Sequence, residues 1–317
     1  MNLEFVAFES MGVRAQAVFI QTRDANIFVD PSAALAPRRY GLPPHIIEVE
    51  NLLNIFGKIE SLLRDSDVIV YTHYHYDHHD PGRFIDTTLY RGKVVFLKDP
   101  HIFINTSQRI GAHRFLRILN DKARSINIAD GRTHAVGSTT IRFSNPLPHG
   151  ETANLGYVIG VCIEDEDEGF MYTSDIEGGP TKNHDDLLTL CNRARVAVVD
   201  GPPTYLLGYR FSEKSLESSI YFLSKILELE SLDILVLDHH ICRDMEYREK
   251  KISQLLIRAK HMKKRIETAA EFMGMHPRFL EAIRRDLYRE RPEDGIKLLR
   301  TRYKDSINDN VEHMFGD

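Results

Sequence analysis

The densest chemistry in this chain is a nine-residue run, Thr72-His73-Tyr74-His75-Tyr76-Asp77-His78-His79-Asp80, which holds four histidines and two aspartates. Imidazole nitrogens and carboxylate oxygens bind zinc at roughly 2.0–2.2 Å, so several such groups must converge on one point to hold an ion. His73 and His75 are two residues apart and share a face if the segment is extended. Asp77 and His78 come after the chain has turned and can face a second ion nearby. A surface turn that is merely rich in histidine is the bland alternative. The run follows directly on Val68-Ile69-Val70-Tyr71, a short apolar strand, and that position argues for a site.

The elements that must position this run alternate between strand and helix. Residues 14–22 and 26–30 read as neighbouring strands joined by the Thr22-Arg23-Asp24-Ala25 turn. Residues 31–44 form a loop rich in Pro and Arg. Leu52, Leu53, Ile55, Phe56, Ile59, Leu62 and Leu63 then recur at helical spacing. Residues 94–97 read as a strand, and residues 100–120 as helical, with Ile110, Phe115, Leu116 and Ile118 as apolar anchors. Strands follow at 139–143, 157–163 and 170–173, the last two flanking an acidic turn, Glu164-Asp165-Glu166-Asp167-Glu168-Gly169. Residues 196–199 and 234–237 are fully apolar strands ending in Asp200 and Asp238, with a helix at 214–229 between them. From about residue 246 the signal is helical, with Ile252, Leu255, Leu256, Ala259, Met262 and Ile266 on one face. The expected division is a catalytic domain over 1–243 and a helical extension over 244–317 packing on it, with homo-oligomer contacts through those helices as a further expectation.

The segment His73-Tyr74-His75-Tyr76-Asp77-His78 resembles the HxHxDH signature of the metallo-β-lactamase fold superfamily. Three later residues at strand ends match the family's remaining ligands in order: His149 after Leu147-Pro148, Asp175 after Thr173-Ser174, and His239 after Asp238. Asp30 matches the family's early aspartate, which braces the ligand loop. The resemblance covers roughly residues 3–243, and the whole-chain pattern, residues 31–44 included, also looks like an archaeal branch of that superfamily.

The resemblance implies an α/β fold, a four-layer αββα sandwich with the helical extension at its C-terminus. It implies one ion held by His73, His75 and His149, a second held by Asp77, His78 and His239, and Asp175 bridging them. His240 is the alternative to His239; whichever is not a ligand stands behind the site or faces substrate. Asp30, Asp200 and Asp238 are candidates to fix the imidazole tautomers. Zinc is the default ion because histidine dominates the set; manganese, iron or cobalt would also fit. Two such ions lower the pKa of a shared water toward neutrality and polarise the electrophile. The expected activity is metal-dependent hydrolysis of a small anionic ester, lactone or phosphodiester, with Asp77 as proton acceptor or relay. The rivals are a nuclease acting on RNA or DNA and a non-catalytic metal-binding regulatory protein.

Substrate-binding candidates are Arg38 and Arg39, in the loop after Asp30, and Tyr205, in the rigid loop after Asp200. A guanidinium clamps phosphate or carboxylate well. Lys98, His113 and Arg243 also lie after strands or in insertions. The tail carries Arg248, Lys250, Lys251, Arg258, Lys260, Lys263, Lys264 and Arg265, which read first as the solvated face of amphipathic helices and second as a nucleic-acid contact.

Composition sets the outer bounds. A formal net charge of -5 supplies no global field for nucleic acid. No stretch reaches the roughly 18 apolar residues of a membrane helix, and the N-terminus lacks a signal-peptide pattern. Cys162, Cys191 and Cys242 are far apart and form no CxxC pair, and an odd count without a framework suggests a reducing, cytoplasmic setting.

Overall fold

Two sheets meet face to face, and the alternation of side chains along their strands explains why. The computed structural model describes residues 1–166 and 168–302. Asp167 of the acidic turn and residues 303–317 of the expected helical tail lie outside the described residues.

The first sheet holds β1 (Asn2–Phe8), β2 (Gln16–Gln21), β3 (Asn26–Val29), β4 (Val68–Tyr71), β5 (Val94–Leu97) and β6 (Ser125–Ile128), in that spatial order. β1, β2 and β3 pair antiparallel, and β3 through β6 pair in parallel. The second sheet is built from β7 (Thr133–Val136), β8 (Thr139–Phe143), β11 (Val161–Asp165), β12 (Glu168–Tyr172), β13 (Ala194–Asp200), β14 (Ile234–Asp238) and β15 (Arg265–Glu267); β9 (Leu147–Pro148) and β10 (Tyr157–Val158) form a separate short pair. β7, β8, β11 and β12 pair antiparallel, and β12 through β15 pair in parallel.

In β4, Val68 and Val70 join the apolar layer between the sheets, whereas Ile69 and Tyr71 face the opposite side. In β14, Ile234 and Val236 join the same middle layer, and Leu235 and Leu237 face away from it. Strands buried on both faces read as continuous apolar runs for this reason. Helices cover the outer faces. α1 (Ile46–Asp65) and α2 (Thr106–Asn120) pack on the first sheet, and α3 (Glu213–Leu227) on the second. α1 buries Leu52, Phe56, Ile59 and Leu63 at helical spacing. Each such side chain contributes roughly 1.5–3 kcal/mol. The αββα sandwich expected from sequence is the observed fold.

Some element readings change. β1 and β6, unread in the sequence, are the two edges of the first sheet. α2 buries Gln108, Gly111, Ala112, Phe115 and Leu119, whereas Ile110 is 51% exposed. Ile110 lies about 200° around the helix from Gln108 and so points off the buried face.

The C-terminal segment contains α4 (Tyr247–Lys250), α5 (Ser253–His261), α6 (Ala269–Phe272), α7 (Arg284–Glu290) and α8 (Ile296–Arg302). Ile252, Leu255 and Ala259 pack on the outer face of the second sheet within the same chain. Residues 265–267, read as helix, instead form β15, which pairs in parallel with β14; Ile266 is therefore a strand residue. α6 enters the layer between the sheets through Ala269 and Ala270, and α8 packs against α1. Contacts from this segment thus reach three layers of the sandwich.

Cys162 in β11 and Cys191 before β13 form a disulfide, and Cys242 is a buried free thiol. The reading of three cysteines without a disulfide framework is overturned, and with it the argument from cysteines to a reducing compartment. The bonded pair is 29 residues apart in sequence, so spacing alone could not reveal it. No helix among the described residues is long and apolar enough to cross a membrane.

Candidate metal centre

The site lies where the parallel strands of both sheets end. β4 delivers the ligand run at its carboxyl end, β12 leads to Asp175, and β14 leads to His239 and His240. Three of the exits are sharp. Asp30 after β3, Ser174 after β12 and His239 after β14 all adopt left-handed backbone conformations, at φ 47°, 60° and 61°. Such a conformation costs a residue with a Cβ on the order of 1–3 kcal/mol, and it persists where the surroundings enforce it. Here it turns each chain abruptly out of its sheet and into the cluster.

The ligand run is braced from several sides. His78 and His79 donate backbone N–H groups to the carbonyl of His75, closing the turn. Ser32 Oγ donates to the carbonyl of Tyr76 at 2.7 Å. Asp80 accepts the N–H groups of Phe84 and Ile85 at 3.0 and 2.9 Å. Buried Asp30 accepts from the Thr72 N–H and the Tyr172 hydroxyl, both at 2.8 Å, and sits 2.8 Å from His78 Nδ1. That contact directs His78 Nε2 into the cluster.

His73, His75, His149 and Asp175 form one group whose ligand atoms lie within 4.8 Å of one another. Asp77, His78, Asp175 and His239 form a second, sharing Asp175. Asp175 Oδ2 lies 3.7 Å from His73 Nε2, 3.4 Å from His149 Nε2 and 3.4 Å from His239 Nε2. His239 Nε2 lies 3.6 Å from Asp77 Oδ2. Tetrahedral zinc with bonds near 2.0–2.1 Å separates its ligand atoms by roughly 3.3 Å. These spacings are longer than good hydrogen bonds and suit an ion between the groups. His78 Nε2 is buried, 2.9 Å from Asp175 Oδ1, yet makes no aligned hydrogen bond. A nitrogen placed to bind an ion has this character.

Protonation states follow from burial and neighbours. Burial, then His78, pushes His73 well below the usual histidine range, and burial with His149 lowers His75 to about 4. Both are therefore neutral at pH 7, the form that binds metal. Burial alone would raise the Asp175 pKa, but His78 and His239 outweigh it and hold the carboxylate ionised. Burial would lower the His78 pKa, but Asp175 and Asp30 outweigh it and raise it well above the usual histidine value.

The other candidates separate cleanly. His240 Nδ1 contacts Asp200 Oδ1 at 2.9 Å, and Asp200 also accepts the Glu177 N–H at 2.7 Å. Of the adjacent pair, His239 is the one inside a ligand group. Asp238 contacts no imidazole in the cluster; it accepts N–H groups of Ser10, His239 and Ala269, tying β14 to the N-terminal segment and to α6.

A cavity of about 300 Å³ opens over the cluster, with His75, Asp77, His149 and Asp175 in its wall. Arg38 is exposed, and Arg38, Arg39 and Tyr205 are not among its lining residues. Arg39 instead lies between the rings of Tyr40 and Tyr205, 4.7 and 4.6 Å from their centroids. The guanidiniums that reach the cavity are Arg14, Arg210 and Arg243. Lys98 is fully buried in an ion pair with Asp130 at 3.0 Å, and His113 is exposed on α2.

Sequence reasoning missed Glu9, Arg14, Gln16 and Gln108. Gln16 carried a readable signal, because it is a polar residue opening the otherwise apolar stretch Gln16-Ala17-Val18-Phe19-Ile20. Glu9, Arg14 and Gln108 carried none.

Comparison with known proteins gives concordant results. Residues 26–204 match the family model described as beta-lactamase superfamily domain. The chain is 46% identical over 293 residues to UPF0282 protein SSO3251 of Saccharolobus solfataricus, covering 92% of this chain and 94% of that one. It is 44% identical over 289 residues to a UPF0282 protein of Metallosphaera sedula, covering 91% and 93%. Among solved structures, isothiocyanate hydrolase from Delia radicum gut bacteria aligns with a TM-score of 0.47 at 16% identity, covering 81% of this chain and 94% of that one.

Proposed function

Since this chain belongs to the metallo-β-lactamase superfamily, we propose that it is a metal-dependent hydrolase that holds two divalent ions and cleaves an ester-like bond in a small anionic substrate. The observation that carries the reading is Asp175, one carboxylate common to two otherwise separate ligand groups. His73, His75 and His149 would hold the first ion, Asp77, His78 and His239 the second, with Asp175 between them. Zinc suits a set of five imidazoles and two carboxylates. Ions held there supply a water of lowered pKa and polarise the bond to be broken.

The chain's own residues set the rest. Asp30 holds His78 by its Nδ1, so that Nε2 faces the cluster. Asp77 lines the cavity and stays ionised, because His78 and His239 outweigh its burial; it is placed to take a proton from the attacking water. Tyr74, Tyr76 and Leu155 supply apolar surface to the cavity wall.

The test is metal analysis of the purified chain together with a screen of generic esters, lactones and phosphodiesters. We expect two equivalents of metal and metal-dependent turnover of one ester class. A His75→Ala variant with unchanged metal content and activity would sink the assignment.

A further inference from the structure

We propose that Arg243 and Arg14 form the anion-binding side of the cavity, and that the substrate carries a carboxylate or phosphate group which these two guanidiniums hold beside the reacting bond. The inference rests on the hydrolase reading above and deepens it.

Arg243 is 4% exposed and lines the cavity. Its Nε donates to Glu9 Oε2 at 2.9 Å and its Nη1 to the Tyr205 hydroxyl at 3.3 Å. Its Nη2 lies 3.3 Å from His239 Nε2, the nitrogen that faces Asp77 and Asp175. A nitrogen that binds an ion has committed its lone pair, so in the loaded site it can no longer accept from Arg243. A guanidinium cannot shed a proton to compensate. Its freed N–H therefore needs an acceptor in the cavity, beside the ions.

Arg14 is held side-on. Its Nε and Nη2 donate to the two carboxylate oxygens of Glu281 at 2.7 and 2.8 Å, which leaves its Nη1 donors with no side-chain partner among the described residues. Glu9 and Glu281 thus grip the two guanidiniums and fix their orientation. Such preorganisation lowers the entropy lost when a ligand binds. Glu281 comes from the C-terminal segment, which gives that segment a positioning role in the site.

Charge points the same way. Arg14, Arg39 and Arg243 share two carboxylates, Glu9 and Glu281. The Arg39 Nε is buried and has no hydrogen-bond partner. One cation is therefore in excess, beside a cluster that takes divalent cations. Arg243 is buried and Arg14 and Arg39 are partly so; a positive charge in excess there is unfavourable, and a bound anion offsets it. Carboxylate and phosphate both match the planar donor fork, and a cavity of about 300 Å³ suits a small molecule.

The experiment is calorimetric titration of the full chain, zinc content measured, with inorganic phosphate and separately with succinate at fixed ionic strength. The double variants Glu9→Gln/Arg243→Gln and Arg14→Gln/Glu281→Gln each remove a guanidinium with the carboxylate that grips it; the second also removes the Glu281 contact of Arg39, so Arg39→Gln alone serves as its control. Arg243→Lys keeps the pair with Glu9 but loses the fork, and tests the same contact should a double variant fail to fold. We expect each double variant, and Arg243→Lys, to weaken the preferred probe at least about tenfold, a loss of about 1.4 kcal/mol, with zinc content unchanged. The probe bound more tightly identifies phosphate or carboxylate as the group. Wild-type affinity in those variants when folded, or no binding of either probe to the wild-type chain, overturns the proposal. A chain that takes up no zinc counts against the hydrolase reading instead, and titration of the metal-free protein then reads Arg14, whose Nη1 donors are available with or without an ion.

Discussion

Gln16 Nε2 donates to Asp175 Oδ1 at 2.6 Å, joining the first residue of β2 in one sheet to the carboxylate shared by both ligand groups beyond the other. Gln16 is fully buried. The bond fixes which Asp175 oxygen faces His73, His149 and His239. Groups that orient ligands in this way typically contribute 10–100-fold to metal affinity. Gln16→Ala should therefore weaken zinc binding by about one to two orders of magnitude while leaving the fold intact. Competition against a chelator of known affinity measures this. An unchanged zinc affinity would show that Asp175 is oriented without Gln16.

His239 and His240 are neighbours with opposite surroundings. His239 sits in a ligand group, and His240 rests on Asp200. Removing a ligand loses an ion, whereas removing a ring behind the site loosens its neighbours. We expect His239→Ala to lose about half of the bound metal, one of two ions in the dinuclear arrangement, and His240→Ala to retain both. Elemental analysis of the two variants decides. The reverse pattern would exchange their roles.

Most of the candidate ligands were legible because they follow apolar strands, and strands buried on both faces announce themselves in sequence. That covers His73 to His78 after β4, Asp175 after β12 and His239 after β14. The choice between His239 and His240 was not legible, since it depends on a left-handed turn at His239 that no residue type there predicts. The guanidiniums were misplaced for a similar reason. Arg38 and Arg39 lie in the loop that looked nearest the site, yet Arg14 and Arg243 reach the cavity because Glu281 and Glu9, distant in sequence, hold them there. β15 was hidden by its brevity: three residues in a helical context carry no period of their own.

Glu281 ties acid stability to the same network. Burial alone would raise its pKa, but Arg14, with Arg243 and Arg284 adding to it, holds the carboxyl below the ordinary value of 4.5. A depressed acid stabilises the fold fully above its unfolded pKa, and that stability is lost as pH falls through the folded pKa. Stability should therefore decline steadily below about pH 4.5, and Glu281→Gln should flatten the decline. At neutral pH the same variant strands Arg14 and should cost about 3 kcal/mol. Denaturant unfolding of both proteins between pH 3 and 7 (a range spanning the ordinary carboxyl titration) checks both signs. Parallel pH profiles would exclude Glu281 as the titrating group.

Cys162 and Cys191 fasten β11 to the segment entering β13, outside the metal centre and on the outer face of the second sheet. A cross-link closing a loop of 29 residues restricts the unfolded chain and stabilises the fold by about 3 kcal/mol. Cys191→Ser should lower the unfolding free energy by about that amount and leave metal content unchanged, because neither cysteine touches the ligand groups that share Asp175. Thiol titration of the denatured chain gives an independent reading: one reactive thiol, Cys242, without reductant, and three after reduction. Three thiols before reduction would show that the bond is not formed in the purified protein, and the stability difference should then vanish as well.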